Sequence, residues 1–418
     1  MTTFRVNSTR IWDTLHESCQ WGATPDGGMN RVTLNDDDKR VREWFILEGK
    51  KLGCQIKIDQ MGTIFLIRAG EDNSIAPIAI GSHLDTQPSG GRYDGIVGVH
   101  TGLEILRTFH ENNYVTYAPI CVVNWTNEEG ARFPKTMVSS GVWSGQISLE
   151  DAYNVEDINN PGLFFGKELE KIGYKGEVPA SYKDNPLSAH FEVHIEQGTR
   201  LETAGLDIGI VSGVKGIRWF EIEIFGTEGH TGTTPMEGRK DALAASSEMI
   251  LCVEETAKKH GGLGTVGVIH PLPQSPNTIP GYSKFSVDCR HDSNADLVRY
   301  TEELLENLEA ISRKRQVKYT IKETWHFKQL EFDSDCKAAI QESAEENGLT
   351  FTSLYSGIGH DSCYTATRVP TAMIFIPCKN GISHSPKEYS SPKAVADGAQ
   401  AMLGAVIRYD QRLRELGK

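Results

Sequence analysis

Two adjacent carboxylates, Glu128 and Glu129 in Trp125-Thr126-Asn127-Glu128-Glu129-Gly130, close a strongly apolar segment. They follow His83-Leu84-Asp85 and Asp94, and they precede His194 and His384. His83, His194 and His384 offer three imidazoles; Asp94 and Glu129 offer two carboxylates. Glu128 is then left over as a proton carrier beside the metal. Zinc takes imidazole nitrogen and carboxylate oxygen readily, and a catalytic site keeps one position open for water. A carboxylate shared between two ions would hold them close enough to polarise one water and one carbonyl together. The residue set points to metal-assisted hydrolysis with two divalent ions per subunit. Zinc fits first, and manganese, cobalt or nickel suit the same donors.

Each residue carries a bland reading as well. His83 taken alone is a hydrogen-bonded loop histidine. Asp85 gains meaning as an acceptor that would fix the His83 tautomer. Asp94, in Gly90-Gly91-Arg92-Tyr93-Asp94-Gly95, sits directly before a helix and reads equally as an N-cap. His194 reads alone as a core histidine, and His384, in Gly381-Ile382-Ser383-His384-Ser385, is weak by itself. Glu128-Glu129 is stronger, because two like charges at the end of an apolar strand need a cation or a shared proton. In the division of labour expected here, Glu129 binds metal. Glu128 takes a proton from the attacking water and passes it to the leaving nitrogen.

The elements that must position these groups follow from hydrophobic pattern. Ile78-Ala79-Ile80 is a short apolar strand running into His83. Residues 95–110 read as a helix with Ile96, Val99, Leu103 and Leu106 on one face. Residues 120–125 form the next strand, ending at the Glu pair. That strand–helix–strand unit implies a parallel sheet covered by helices. It places both ligand groups just past strand carboxyl ends, where open α/β sheets bind ligands. Between His190 and Ile195 the pattern alternates, and Met373-Ile374-Phe375-Ile376 is a late apolar strand leading to His384.

The intervening stretch has its own rhythm. Phe220, Ile222 and Ile224 alternate with Glu221 and Glu223. A helix is expected from about residue 239 to 260, strands near 265–269 and 285–289, a helix at 294–314 and a strand at 317–321. This β-α-β-β-α-β order is that of a ferredoxin-like unit. The fold class is therefore α/β: a discontinuous metal-binding domain at 1–212 and 326–418, with helices on both sheet faces, and an inserted α+β domain at 213–325. The linkers fall near Ser212-Gly213 and Thr324–Phe327.

Composition agrees. A chain of 418 residues is too long for one ordinary core and suggests about two domains. Its net charge of −13 argues against a nucleic-acid partner, which needs clustered Lys and Arg. No apolar run approaches a membrane span, and Met1-Thr2-Thr3-Phe4-Arg5 lacks the apolar core of a signal peptide. The eight cysteines show no CxxC pairing and read as buried thiols in a reducing, cytoplasmic setting.

Five stretches together resemble a known family: Gly81-Ser82-His83-Leu84-Asp85-Thr86, Asp94-Gly95, Asn127-Glu128-Glu129-Gly130, His194-Ile195-Glu196-Gln197-Gly198 and Ile382-Ser383-His384. They match the N-carbamoyl amino acid amidohydrolases, of the aminoacylase-like superfamily of di-zinc peptidases and amidohydrolases. The resemblance spans nearly the whole chain. It looks closest to the yeast-type β-alanine synthases (β-ureidopropionases), through Gly130-Ala131-Arg132-Phe133, Pro179-Ala180-Ser181-Tyr182-Lys183, Gly357-Ile358-Gly359-His360-Asp361-Ser362 and Glu388-Tyr389-Ser390-Ser391. The resemblance implies that Asp94 bridges two zinc ions. His83 and His194 would complete one site; Glu129 and His384 would complete the other. Glu128 would be the general acid/base, and the inserted domain the lid and homodimer interface. His230, in Gly229-His230-Thr231-Gly232, would reach across the dimer to the oxyanion. Gln197, Asn277 and Arg290 would bind substrate. Arg290 also suits a carboxylate by its own chemistry, although Ser286 and Asp288 share its face and a surface salt bridge is the plain alternative. The chain departs from the yeast-type pattern at Lys135 to Val138, a loop that bears on substrate choice and not on reaction type.

The expected reaction is hydrolysis of the ureido C–N bond of an N-carbamoyl amino acid, with N-carbamoyl-β-alanine first. N-carbamoyl-L-α-amino acids and allantoate are the alternatives within the same chemistry. The alternative of another class is an inactive dimeric binding protein on the same fold.

Overall fold

The computed structural model describes residues 4–417. Residues 1–3, which open the segment read above as lacking a signal-peptide core, lie outside the described residues. The chain divides into two compact units, Met1–Ser212 with Phe332–Lys418, and Gly213–Glu331. The second unit runs past residue 325, where the sequence reading ends it. The reason is strand Lys318–Phe327, which stays paired with Gly216–Phe225 as far as Phe327 opposite Ile217.

The first unit is built on a mixed sheet with a parallel centre. Ile120–Trp125, Ile78–His83, Ala189–Ile195 and Thr371–Ile376 lie side by side and run the same way. The flanks, Ile64–Arg68 on one side and Ile208–Val214 on the other, are antiparallel. Alternation explains why the central strands are buried on both faces. Ile78, Ile80 and Val122 enter the large core, whereas Ala79, Cys121, Val123 and Trp125 pack on Trp143 on the opposite face. Because the four central strands are parallel, their carboxyl ends share one edge of the sheet.

Helix Ile96–Glu111 packs against Ile78–His83 and is itself covered by helices Ser8–Ser18 and Pro392–Leu416. The sequence reading gives it one apolar face, but nearly every side chain is buried. Its two inward charges are paired: Glu104 with Arg10 and Arg107 with Glu48, at 2.7 and 2.6 Å. A buried ion is tolerated in such a place only with a partner.

The second unit is an antiparallel sheet in the order Ile269–Leu272, Tyr282–His291, Gly216–Phe225, Lys318–Phe327. Helices Ala242–His260 and Asn294–Arg315 cover it. Phe220, Ile222, Ile224, Phe285, Val287 and Cys289 point into a core with Met249, Val253, Tyr300, Leu304 and Leu308. The single strand expected at 265–269 is split into Leu263–Thr265 and Ile269–Leu272. Between them the Val268 N–H goes to Ser286 Oγ and not to a backbone carbonyl, which interrupts the ladder. The first helix starts at Ala242 and not near 239, because the Asp241 side chain accepts from Ala244 N as its N-cap.

All eight cysteines are free, and all but Cys252 are buried. Among the described residues no helix is long and apolar enough to cross a membrane.

Candidate metal centre

The shared edge of the parallel strands collects the chemistry. His83 ends its strand opposite Trp125. Glu128 and Glu129 follow Trp125, and His194 lies opposite Phe375 near the ends of the next two strands. Asp94 sits in the turn between His83 and the helix that starts at Ile96. It is not the helix cap: Gly95 holds that position with φ +66° and no side-chain cap bond. Glycine is needed there for a second reason. A Cβ on Gly95 would fall 2.2 Å from His83 Nε2.

Asp94 faces both halves of the set. Its Oδ1 lies 3.0 Å from His194 Nε2 and 3.6 Å from His83 Nε2. Its Oδ2 lies 3.3 Å from His384 Nε2, and that same imidazole nitrogen is 3.4 Å from Glu129 Oε2. The ligand atoms of His83, Asp94 and His194 lie within 4.8 Å of one another, as do those of Asp94, Glu129 and His384. The two histidines of the first group are oriented by their other nitrogens. His83 Nδ1 is 2.9 Å from the Asp85 carbonyl and His194 Nδ1 is 2.9 Å from the Ile195 carbonyl. A carbonyl accepts only, so each Nδ1 carries the proton and each Nε2 presents a lone pair. His83 Nε2 is buried and makes no hydrogen bond among the described residues. An orphaned imidazole lone pair facing carboxylates fits a cation, and the donor set suits divalent metal.

Asp85 does not fix His83 through its carboxylate, as expected from the sequence. Asp85 Oδ1 lies 3.9 Å from His83 Nδ1, and the backbone carbonyl does that work. The carboxylate instead accepts the backbone N–H groups of Glu128 and Glu129, both at 3.3 Å. It therefore holds the turn that presents the Glu pair.

Charge is concentrated and buried. Burial pushes the Glu128 carboxyl well above the usual carboxylate range; His83 opposes this, and Asp361, Glu129 and Asp94 add to it. Burial and Asp94 push Glu129 up to about 7. Burial works against the Asp94 charge as well, but His194, His384 and His83 hold its carboxyl well below the usual range. Burial also opposes a charged His83, yet Glu128, Asp94, Asp85 and Glu129 raise it well above its ordinary value. A divalent cation would take the place of that proton. Glu128 Oε2 is 3.5 Å from His83 Nε2 and belongs to neither three-residue group. It is the carboxyl left beside the two groups that could hold metal.

Backbone strain marks the same place. Asn127, Gln197 and His384 all have positive φ, at 59°, 53° and 53°. Such residues cost energy and persist where surrounding contacts over-determine them. Asn127 Nδ2 donates to the Phe133 and Lys135 carbonyls, which ties down the loop after the Glu pair. Gln197 Nε2 donates to Asp94 Oδ2 at 2.6 Å and to Ser383 Oγ at 2.8 Å.

Several contributors carry no role in the sequence reading. Gln87 Nε2 donates to Glu129 Oε2 at 2.8 Å. The His360 ring meets His194 edge to face, centroids 4.5 Å apart, and Asp361 bonds Ser140 Oγ. Glu192, His194 and His360 form a third group with ligand-like spacing. Both Glu192 oxygens, however, are taken by the Ser82 and Ser362 hydroxyls at 2.6 Å. The His360-Asp361-Ser362 stretch was the one sequence signal for this layer.

The remaining predicted residues lie in the second unit. His230 and Asn277 come together there: Thr278 pairs with His230, and Thr231 N donates to the Asn277 carbonyl. His230 Nδ1 accepts from Gly232 N at 3.1 Å, so a neutral His230 carries its proton on Nε2 as a donor. Asn277 Oδ1 accepts from Ser275 Oγ. Arg290 is elsewhere on the unit, near the end of Tyr282–His291, with Nη2 2.6 Å from Asp288 Oδ2.

Residues 79–408 match the model of peptidase family M20/M25/M40. The chain is 40% identical over 405 residues to an N-carbamoyl-L-amino-acid amidohydrolase of Rhizobium meliloti, covering 96% of each. It is 33% identical to an allantoate amidohydrolase of Bacillus subtilis (strain 168), covering 95% of this chain and 97% of that one. A solved amidase of the hydantoinase/carbamoylase family from Burkholderia multivorans superposes with a TM-score of 0.93 at 40% identity, over 97% and 98% of the two chains. With the family model and a near-full-length relative agreeing, the chain belongs to peptidase family M20/M25/M40 and is a hydrolase of C–N amide bonds.

Proposed function

We propose that the protein hydrolyses the ureido C–N bond of N-carbamoyl-L-α-amino acids, giving the amino acid, carbon dioxide and ammonia. The observation that carries the reaction is the buried Glu128 carboxyl beside two ligand groups that share Asp94. N-carbamoyl-β-alanine, ranked first from the sequence, moves behind the L-α compounds. The relatives are named for L-amino acid and allantoate chemistry.

In this reading His83, Asp94 and His194 hold one divalent ion, and Asp94, Glu129 and His384 hold the other. Zinc is the preferred ion on its taste for imidazole and carboxylate. When bound, the pair supplies Lewis acidity toward water and the ureido carbonyl. Glu128 accepts the proton of the attacking water and delivers it to the leaving nitrogen. An Nε2–H donor from His230 of the partner subunit stabilises the oxyanion. Gln197 and Asn277 orient the ureido group, and Arg290 takes the carboxylate by exchanging its Asp288 contact for the substrate.

Ammonia release from N-carbamoyl-L-amino acids, N-carbamoyl-β-alanine and allantoate tests the substrate. The L-α compounds should lead in kcat/KM by about 10-fold or more, the scale of a one-methylene mismatch. Allantoate in the lead would overturn the substrate and keep the reaction. No release from any of them by metal-loaded protein would favour the inactive binding protein. In the same screen Arg290→Lys should lower kcat/KM for every N-carbamoyl amino acid alike, by about 10- to 100-fold. An equal penalty on a carbamoyl compound without the carboxylate would return Arg290 to its salt bridge with Asp288.

The second unit is proposed as lid and homodimer interface. Its edge strand carries exposed Ile269 and Leu272, and a covering helix exposes Leu251. Unpaired edges of this kind invite pairing. Sedimentation should show a dimer at micromolar concentration. Mixing inactive His230→Ala with inactive Glu128→Gln should then restore activity after subunit exchange. A monomer, or demonstrated heterodimers without recovery, would reject the role of His230 across the interface.

A further inference from the structure

We propose that Glu388 is a positioning residue that fixes the shared carboxylate of Asp94; this rests on the two-cation reading above. Glu388 is only 5% exposed, and among the described residues it has no cationic partner in ion-pair range. A buried carboxylate without a countercharge is costly unless hydrogen bonds satisfy it. Its Oε1 accepts the backbone N–H groups of Tyr93 and Asp94 itself, at 2.9 and 3.0 Å. Its Oε2 lies 3.0 Å from Ser383 Oγ. Ser383 Oγ is in turn 2.9 Å from Asp94 Oδ2 and accepts from Gln197 Nε2. One carboxylate thus grips the Asp94 backbone directly and shares with the Asp94 side chain one hydroxyl, whose single proton serves one of the two carboxylates at a time. It also joins the turn carrying Asp94 to the segment carrying His384, Asp94 and Glu388 being 294 positions apart in the chain.

The loop around Asp94 is shaped to admit this group. A Cβ on Gly91 would fall 2.1 Å from Glu388 Cδ and 2.2 Å from its Oε1. Only glycine at 91 lets the carboxylate reach the two N–H groups. This accounts for the glycine at position 91, three residues ahead of Asp94.

The chemistry predicts which replacement is tolerated. Glutamine keeps an oxygen for the two N–H groups and turns an N–H toward Ser383 Oγ. The single Ser383 proton then remains available to Asp94 Oδ2. Alanine removes every one of these bonds. The full-length protein, stripped of metal, is titrated with Zn2+ against a competing chelator of known affinity. Glu388→Ala should bind Zn2+ about 10- to 100-fold more weakly, the usual effect of removing an outer partner of a ligand. Glu388→Gln should bind like the wild type. A role confined to packing would lower the thermal stability of the metal-free protein and leave the Zn2+ affinity alone. Wild-type affinity in Glu388→Ala, with two ions bound by the wild type, overturns the proposal and keeps the two-cation reading. A Gln variant as weak as the Ala variant also overturns it. If the wild type takes up no Zn2+, the reading beneath it fails and the proposal with it. Should Glu388→Ala not fold, Ser383→Ala removes the hydroxyl between Glu388, Gln197 and Asp94 Oδ2 and leaves the two backbone bonds of Glu388 in place. An unchanged affinity in that variant overturns the proposal.

Discussion

Glu128→Gln should retain both metal ions and lose turnover by about 10²- to 10⁴-fold, the usual contribution of a general acid/base. The side chain is nearly isosteric, and the backbone N–H of residue 128 stays on Asp85. The turn that presents it should therefore not move. What changes is chemistry: an amide cannot accept the proton of the attacking water or give one to the leaving nitrogen. The loss should fall on kcat, with KM little altered, because the interaction is used in the transition state and not in binding. Steady-state rates and elemental analysis on the same preparation decide it. Near-normal turnover with full metal content would remove Glu128 from the mechanism. Loss of an ion would instead make Glu128 a ligand, an outcome its absence from both three-residue groups argues against.

The difference between Glu128 and Glu129 shows what a sequence can and cannot carry here. Two adjacent carboxylates at the end of Ile120–Trp125 announce a site, because an apolar strand of that kind does not end in a charged pair without a reason. The strand–helix–strand pattern also says that His83 and the Glu pair share a sheet edge. Which glutamate turns toward Asp94 and His384 depends on the backbone at Asn127, where φ is 59°. Asparagine takes up this left-handed backbone more readily than most residues, so the residue type permits the twist without requiring it. The placement of Asp85 has the same origin. Spacing brings Asp85 near His83, but the carboxylate is drawn to the Glu128 and Glu129 N–H groups across the sheet edge. Sequence order also conceals the antiparallel flanks, since Ile64–Arg68 and Ile208–Val214 are far in sequence from the central strands they pair with. Contacts such as Glu388 to Asp94 are invisible for the same reason: they exist only after the parallel centre has formed. The inserted unit was easier to read, because its alternating strands and capped helices are local patterns.

Asp94→Ala should strip both metal sites at once. The two oxygens of this carboxylate face separate ligand groups, Oδ1 toward His83 and His194, Oδ2 toward His384. Removing a ligand used by only one group should leave the other ion in place; His384→Ala is the matched control, since among the described residues that imidazole is in ion-pair range of Asp94 Oδ2 and Glu129 alone. The expected pattern after dialysis is two ions per chain in the wild type, one in His384→Ala and none in Asp94→Ala. The affinity lost in Asp94→Ala should exceed the about 10- to 100-fold seen for outer partners, because a donor to both ions is gone. Activity should fall to background with the metals, and added Zn2+ should not restore it. Two ions still bound by Asp94→Ala would show that the groups are held independently. Asp94 would then be one ligand among several, and the edge of the sheet would carry two separate sites in place of one shared centre.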